Sequence, residues 1–294
     1  MCSFNQGSIK ETHIAKTQLQ PTRLQEYGVG IFKSLITKSS LKKAIKKKCI
    51  YINASLATTA TLIHGGESIT LHVQTEKHNK RFFKLPLKII YEDDFLALVN
   101  KPSGVLVSGN TFKTIVNALP QNLNKSFQID AIAPKPAHRL DFPTSGLLLV
   151  GKTASTIVAL NILFAHKKIR KSYYAITIGE MKVKKDSITF PIDDKLATSN
   201  YEVLDTIASD KYQFLNLVKL IPSTGRRHQL RKHLASIRNP ILGDTDYGIE
   251  GKVLKGKGLY LHAFSLEFTH PITNENMYFE KALPAKYRKL FNYL

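Results

Sequence analysis

The 294-residue sequence predicts a protein of mixed helices and strands, arranged in about two domains. Three observations carry this. Residues 41–48 place apolar side chains at i, i+3 and i+4, the spacing of one helix face. Residues 69–73 alternate apolar and polar, the spacing of a half-buried strand. Residues 147–150, Leu-Leu-Leu-Val, are an apolar run of the length of a buried strand, with a buried helix as the alternative. The chain is long enough to bury a substantial core.

Lysine and arginine number 43 against 22 acids, a formal charge of +21. Such an excess points to a polyanionic partner, nucleic acid first and an anionic membrane second. No apolar run reaches the ~18 residues that suggest a spanning helix. The first residues lack the basic-then-apolar pattern of a signal peptide. Cys2 and Cys49 form no C-x-x-C pair, so neither a zinc knuckle nor a disulfide framework has support, and a cytoplasmic setting is expected. A monomer is expected, with no cofactor and no metal.

Taken in order, residues 1–18 are polar with little periodicity and are expected to form a flexible extension. Residues 19–75 read as a compact module. In it, Ser39 and Ser40 are expected to cap a helix beginning at Leu41. Leu41, Ala44 and Ile45 share one face; Lys42, Lys43, Lys46, Lys47 and Lys48 occupy the rest. A charge run is usually a solvated surface. Five lysines with no acid among them have no salt-bridge partner within the segment, and a face that tracks phosphates is the preferred reading. Residues 49–52 read as a short strand, Asn53-Ala54-Ser55 and Gly65-Gly66-Glu67 as turns. Residues 1–90 carry 15 lysines and arginines against 4 acids, half of the whole excess in under a third of the chain.

A linker is expected over 76–88. Residues 89–107 read as strand, acidic turn, strand and a Lys-Pro-x-Gly turn. Residues 108–137, with Pro120, Pro134 and Pro136, read as irregular. Residues 156–165, with Ile157, Leu160, Ile162, Leu163 and Phe164, predict a helix covering a sheet, and a strand follows around Tyr173.

The most informative stretch is 136–153, Pro-Ala-His-Arg-Leu-Asp-Phe-Pro-Thr-Ser-Gly-Leu-Leu-Leu-Val-Gly-Lys-Thr. Asp141 stands between Arg139 and a turn-like Phe-Pro-Thr-Ser-Gly, at the start of a buried element, where a carboxylate can line a cleft. The commoner outcome for such an aspartate is a turn residue bonding its own backbone. Residues 146–153 also fit the phosphate-loop pattern G-x-x-x-x-G-K-[ST]. That pattern needs a loop with inward N–H groups, whereas Leu-Leu-Leu-Val wants burial, which weighs against nucleotide binding.

The run His-Arg-Leu-Asp-x-x-Thr-Ser-Gly-Leu-Leu-Leu-Val-x-Lys-Thr resembles the catalytic signature of the RluA family of pseudouridine synthases. Further matches are residues 89–107, Lys171-Ser172-Tyr173-Tyr174-Ala175, and Thr224-Gly225-Arg226-Arg227-His228-Gln229-Leu230-Arg231 with the following Asn239-Pro240 and Gly243-Asp244. Together they cover nearly all of the chain after about Leu19. Arg227 departs from the family's Thr or Ser. The order of lysine-rich helix, strand ending in Asn53 and Gly-Gly-Glu turn resembles the small S4-like RNA-binding domain, with Ala54 and Glu67 where that domain often has Gly and Asp.

The resemblance implies an α+β fold: a mixed, mainly antiparallel sheet with a central cleft over 89–294, preceded by the S4-like domain. It implies conversion of uridine to pseudouridine in RNA, in large-subunit ribosomal RNA first and transfer RNA second. Asp141 would be catalytic, as a nucleophile, a charge stabiliser or a base for a sugar proton. Arg231 would pair with Asp141, and Tyr173 would stack on the uracil, its hydroxyl helping to remove the proton from carbon 5. Arg139 would fill the gap left by the flipped base, with phosphate binding as its plainer role. Lys101 would face RNA, and His228 would be structural. His228 and His233, five apart, make a poor metal pair. Two other classes compete: a non-catalytic RNA-binding or ribosome-assembly factor on the same fold, and a phosphate-loop NTPase.

Overall fold

The structure is a computed structural model that describes residues 9–35, 37–72, 83–254, 256 and 258–291. They divide into two compact units, residues 1–80 and 81–294.

The first unit contains β1 (Ile9–Ile14), β2 (Thr22–Arg23), α1 (Leu24–Tyr27), α2 (Lys38–Lys46), β3 (Ile50–Ile52), β4 (Ser55–Leu56), β5 (Leu62–Ile63) and β6 (Ser68–His72). Four strands form a sheet in the order β1-β6-β3-β4, and β2 pairs with β5. Strand β1 lies within the stretch expected to be flexible, and the expectation fails over residues 9–14. Their backbone pairs antiparallel with β6 although Ile9 and Ile14 are exposed, so no apolar alternation advertised the strand. Residues 1–8 lie outside the described residues.

Helix α2 begins three residues before Leu41. Its cap is Thr37 rather than Ser39-Ser40: Thr37 Oγ1 accepts from Ser40 N at 3.1 Å, and Ser40 Oγ accepts from Thr37 N at 3.2 Å. The two satisfy each other's otherwise unpaired N–H groups as a capping box. Leu41, Ala44 and Ile45 are buried against Ile50, Ile69 and Leu71, and Lys42, Lys43, Lys46 and Lys47 are exposed. Strands β3 and β4 are joined by Asn53 and Ala54 alone, both left-handed at φ of 46° and 67°. That geometry suits the right-handed twist of a two-residue hairpin and favours Gly at the second position.

Residues 76–82 of the expected linker lie outside the described residues. Residues 83–88 belong to the second unit: Leu87 is buried in its core and Lys88 opens a strand. This unit contains β7 (Lys88–Glu92), β8 (Leu96–Lys101), α3 (Ile115–Ala118), β9 (Ala131–Pro136), β10 (Ser145–Thr153), α4 (Ala154–Ala165), β11 (Arg170–Ile178), β12 (Lys185–Ile188), β13 (Ser199–Ser209), β14 (Gln213–Pro222), α5 (Gln229–Ser236), β15 (Leu261–Thr269), β16 (Asn276–Glu280) and α6 (Ala285–Arg288). The stretch 108–137 is thus not wholly irregular. Its prolines Pro134 and Pro136 lie in β9, a strand that pairs only with β10 and so tolerates missing donors.

A 10-stranded sheet runs β12-β13-β14-β11-β15-β10-β8-β7, with β16 added on β15 and β9 on β10. Every pairing of these strands is antiparallel except β10 with β15. The fold is α+β, as the resemblance implied. Strand β10 explains its own sequence. Leu147 and Leu149 pack under Leu160 of α4, while Leu148 and Val150 face the opposite layer with Ala97 and Val99. A strand covered on both faces needs apolar residues at successive positions. Each such side chain, fully buried here, contributes about 1.5–3 kcal/mol. Gly146 cannot be replaced. It has φ +116°, and a Cβ there would sit 2.2 Å from Ala263 O on β15.

The phosphate-loop reading fails on the same strand. Residues 146–153 are ladder, not loop. Lys152 is buried and its Nζ is taken by Glu92 Oε1 at 2.7 Å and by the Asp93 carbonyl.

Candidate active site

Asp141 lies in the turn that leads into β10. Its carbonyl accepts from Thr144 N at 3.1 Å, closing a four-residue turn. A second turn, at the end of β8, clamps the first. Lys101 Nζ donates to the carbonyls of Pro102, Phe142 and Thr144 at 3.0, 3.2 and 2.7 Å. Gly104 N donates to Phe142 O at 2.9 Å, and Ser103 Oγ to Pro143 O at 2.7 Å. The Lys-Pro-Ser-Gly segment therefore fixes the backbone on which Asp141 stands.

Lys101 is consequently not a surface contact for RNA: it is fully buried beneath the Asp141 turn. Burial pulls its pKa down to about 8, with the Asp141 charge acting in the opposite sense. The sequence places a lysine at the end of a strand; only the packing of a second turn over it shows that its head points inward.

The expected Arg231–Asp141 pair does not form. Arg231, buried on α5, donates through Nε and Nη2 to the two oxygens of Asp244, both at 2.7 Å, and through Nη2 to Asp246 at 2.8 Å. Burial works against its charge, yet the two carboxylates more than offset this and raise its pKa. A bidentate arginine bolts the 239–248 loop to α5. What stands beside Asp141 instead is His228, with Nε2 3.9 Å from Oδ1, outside hydrogen-bond range. His228 is the left-handed cap of α5 at φ 55°, and its Nδ1 lies 3.0 Å from the Tyr247 hydroxyl. Burial lowers its pKa first; Asp141 and Asp246 pull it up, Arg231 and Arg227 down. The net shift is downward, which favours the uncharged imidazole. Sequence reasoning gave it only a structural role, because its neighbour on Asp141 is remote in sequence. His233, by contrast, is bound to Ser199 Oγ at 2.9 Å and the Phe190 carbonyl at 2.8 Å.

Asp141, Tyr173, Arg139 and the 221–230 segment line one cleft of about 880 Å³, the size of a site for a nucleotide-scale ligand. Tyr173 projects into it from β11. Burial and then the Asp141 charge push its hydroxyl well above the ordinary range, so it stays protonated and is no anionic base at neutral pH. Arg139 is exposed at the cleft. Asp141 is the lone carboxylate among the lining residues, facing Arg139, Lys167, Arg170, Lys171, Arg226 and Arg227. The substituted position, Arg227, thus points one more cation at this space. The exposed α2 lysines belong to the other unit and are not part of this cleft.

Residues 95–236 match the family model described as RNA pseudouridylate synthase. The chain is 33% identical over 277 residues to the ribosomal large subunit pseudouridine synthase D of Nitrosomonas europaea, covering 84% of this chain and 77% of that one. It is 30% identical to the protein of the same name in Vibrio cholerae, covering 94% and 92%. Human RNA pseudouridylate synthase domain containing 1 shares the fold at a TM-score of 0.56 and 24% identity, over 67% of this chain and 84% of that one. With up to a third of its residues shared with such enzymes over most of its length, the chain belongs to the RluA family of RNA pseudouridine synthases and is an isomerase of uridine in RNA.

Proposed function

We propose that this enzyme modifies large-subunit ribosomal RNA and that Asp141 carries its chemistry. The observation behind this is one carboxylate set in a cleft whose other charged lining residues are lysines and arginines. Isomerisation breaks the C1′–N1 bond, turns the uracil and joins C1′ to C5; the C5 proton is lost and N1 gains one, so no redox partner or phosphate energy is needed. Positive character grows at the sugar as the glycosidic bond opens. A carboxylate fixed by a clamped turn can stabilise that charge, bond to the sugar or take a sugar proton. The surrounding cations hold the phosphates, and Tyr173 offers a flat face for the extruded uracil. Arg139, exposed and two residues from Asp141, suits the gap left in the stack. The names of the two bacterial relatives support ribosomal RNA as substrate, and a ribosomal substrate fits a cytoplasmic setting.

The first unit we read as an S4-like RNA-binding domain, with Lys42, Lys43, Lys46 and Lys47 on the exposed face of α2 as its phosphate contacts. The decisive experiment is a pseudouridine map of total RNA from cells lacking the gene, rescued with wild type or Asp141→Ala. A large-subunit site restored by wild type alone is the expected result. A lost site in transfer RNA would move the substrate. Rescue by Asp141→Ala would overturn the catalytic assignment in favour of an RNA-binding role.

A further inference from the structure

The described lysines that burial affects find partners in different ways. Lys152 meets Glu92, and Lys101 meets three carbonyls. Lys171 meets neither. It lies on β11 two residues before Tyr173, and both side chains line the cleft. Among the described residues no carboxylate reaches its ammonium group. Burial lowers its pKa and no opposing charge restores it. Its Nζ lies over the Phe164 ring, 5.8 Å from the centroid, a cation–π contact that attracts the ammonium but brings no negative charge to cancel it. Gly225 adds no side chain beside it: a Cβ there would lie 3.9 Å from Nζ. His138 accepts from Leu149 N at 3.0 Å, and burial, aided by the Lys171 charge, lowers its pKa to about 3.

We propose that Lys171 is a built subsite for one RNA backbone phosphate, that of the target uridine or its immediate neighbour. The inference rests on the cleft being the RNA site. The exposed arginines at the rim are hydrated and attract any polyanion, whereas a partly buried cation without a counter-ion carries a desolvation cost that an incoming anion removes. Its place follows from the strand. Side chains at i and i+2 share a face, about 7 Å apart. That puts the ammonium one base-to-phosphate reach from a uracil stacked on Tyr173. An anion there fixes the sugar of that nucleotide relative to Asp141.

The test uses the full-length protein, a short single-stranded RNA with one uridine, and fluorescence anisotropy at several salt concentrations. Lys171→Met is expected to weaken binding about tenfold, the scale of one charged hydrogen bond. The slope of log affinity against log salt should become shallower by ~0.7, one phosphate on a single strand. The same variant should melt about 2 °C higher, since it removes an uncompensated charge. Lys171→Arg should keep the salt slope. Replacing single phosphates by uncharged methylphosphonate should weaken the wild type at one position and leave Lys171→Met unaffected there. Unchanged affinity and slope in Lys171→Met, or a loss of thermal stability, would overturn the proposal. Failure of the wild type to bind RNA at all would instead overturn the reading of the cleft on which it rests.

Discussion

The β8–β10 ladder buries a lysine at each of its ends, and the two are handled differently. At one end, Lys152 forms an ion pair with Glu92 and the charge is cancelled locally. At the other, Lys101 finds only carbonyls, and the nearest charge acting on it is Asp141. The first arrangement closes a structural corner, with Asp93 also bound to His270 at 3.1 Å. The second leaves a cation without a paired carboxylate beneath the turn that holds Asp141, the proposed catalytic group. Both lysines sit within family motifs and both are almost invisible to solvent; only the company each keeps separates scaffold from site.

The largest effect belongs to Asp141→Asn. Turnover of an RNA substrate should fall by more than about 1000-fold, as for other single catalytic groups, while RNA affinity holds. The same change removes the one charge that supports the Lys101 ammonium, so its pKa should drop below about 8, measurable by NMR titration of a labelled lysine. At the other end, Lys152→Met should strip the half-buried Glu92 of its counter-ion and leave it only the bonds from Asn124, costing about 1–3 kcal/mol in denaturant unfolding. Adding Glu92→Leu should recover most of that. If Lys152→Met instead abolished nucleotide binding, the strand reading of residues 146–153 would be wrong.

Lys101→Met should cost less stability, about 1–3 kcal/mol for carbonyls left without a donor. Activity should suffer more than binding, because the Asp141 turn loosens. A pH dependence accompanies it. The folded pKa of about 8 lies below the ordinary 10.5, so between these values the unfolded chain holds a proton the folded chain has released. Wild-type stability relative to Lys101→Met should therefore rise across that window and stay level below pH 8. A falling difference would show that the ammonium, not its neutral form, is what the carbonyls require. The smallest effect lies in the first unit. Ala54→Gly relieves a left-handed alanine in a two-residue turn and should stabilise that unit by about 0.5–1 kcal/mol, with RNA affinity unchanged.

Much of the site was legible because its signals are local. Asp141 and Tyr173 stand in contiguous motifs, and the buried strand announces itself through four successive apolar residues. The α2 face follows from helical spacing, although its cap shifts to Thr37, because a cap depends on which hydroxyl reaches N3. Strand β1 was illegible. An edge strand held by backbone ladder bonds, with its isoleucines exposed, needs no apolar pattern. The partner of Arg231 was illegible too. Asp244 and Asp246 are close in sequence to α5, but nothing in the spacing of an arginine and three candidate aspartates says which carboxylate the fold will bring to it.

By itself the sequence determined the family, the apolar layers of the main sheet and the excess of positive charge, because these depend on residue type and short-range periodicity. The tertiary structure alone decided which charges meet. It gave Arg231 to Asp244, turned Lys101 under the Asp141 turn, set His228 beside the carboxylate and left Lys171 without a counter-ion among the described residues. The reason is physical: ionic partners are chosen by distances of a few ångströms between elements far apart in the chain, and burial sets the strength of each meeting.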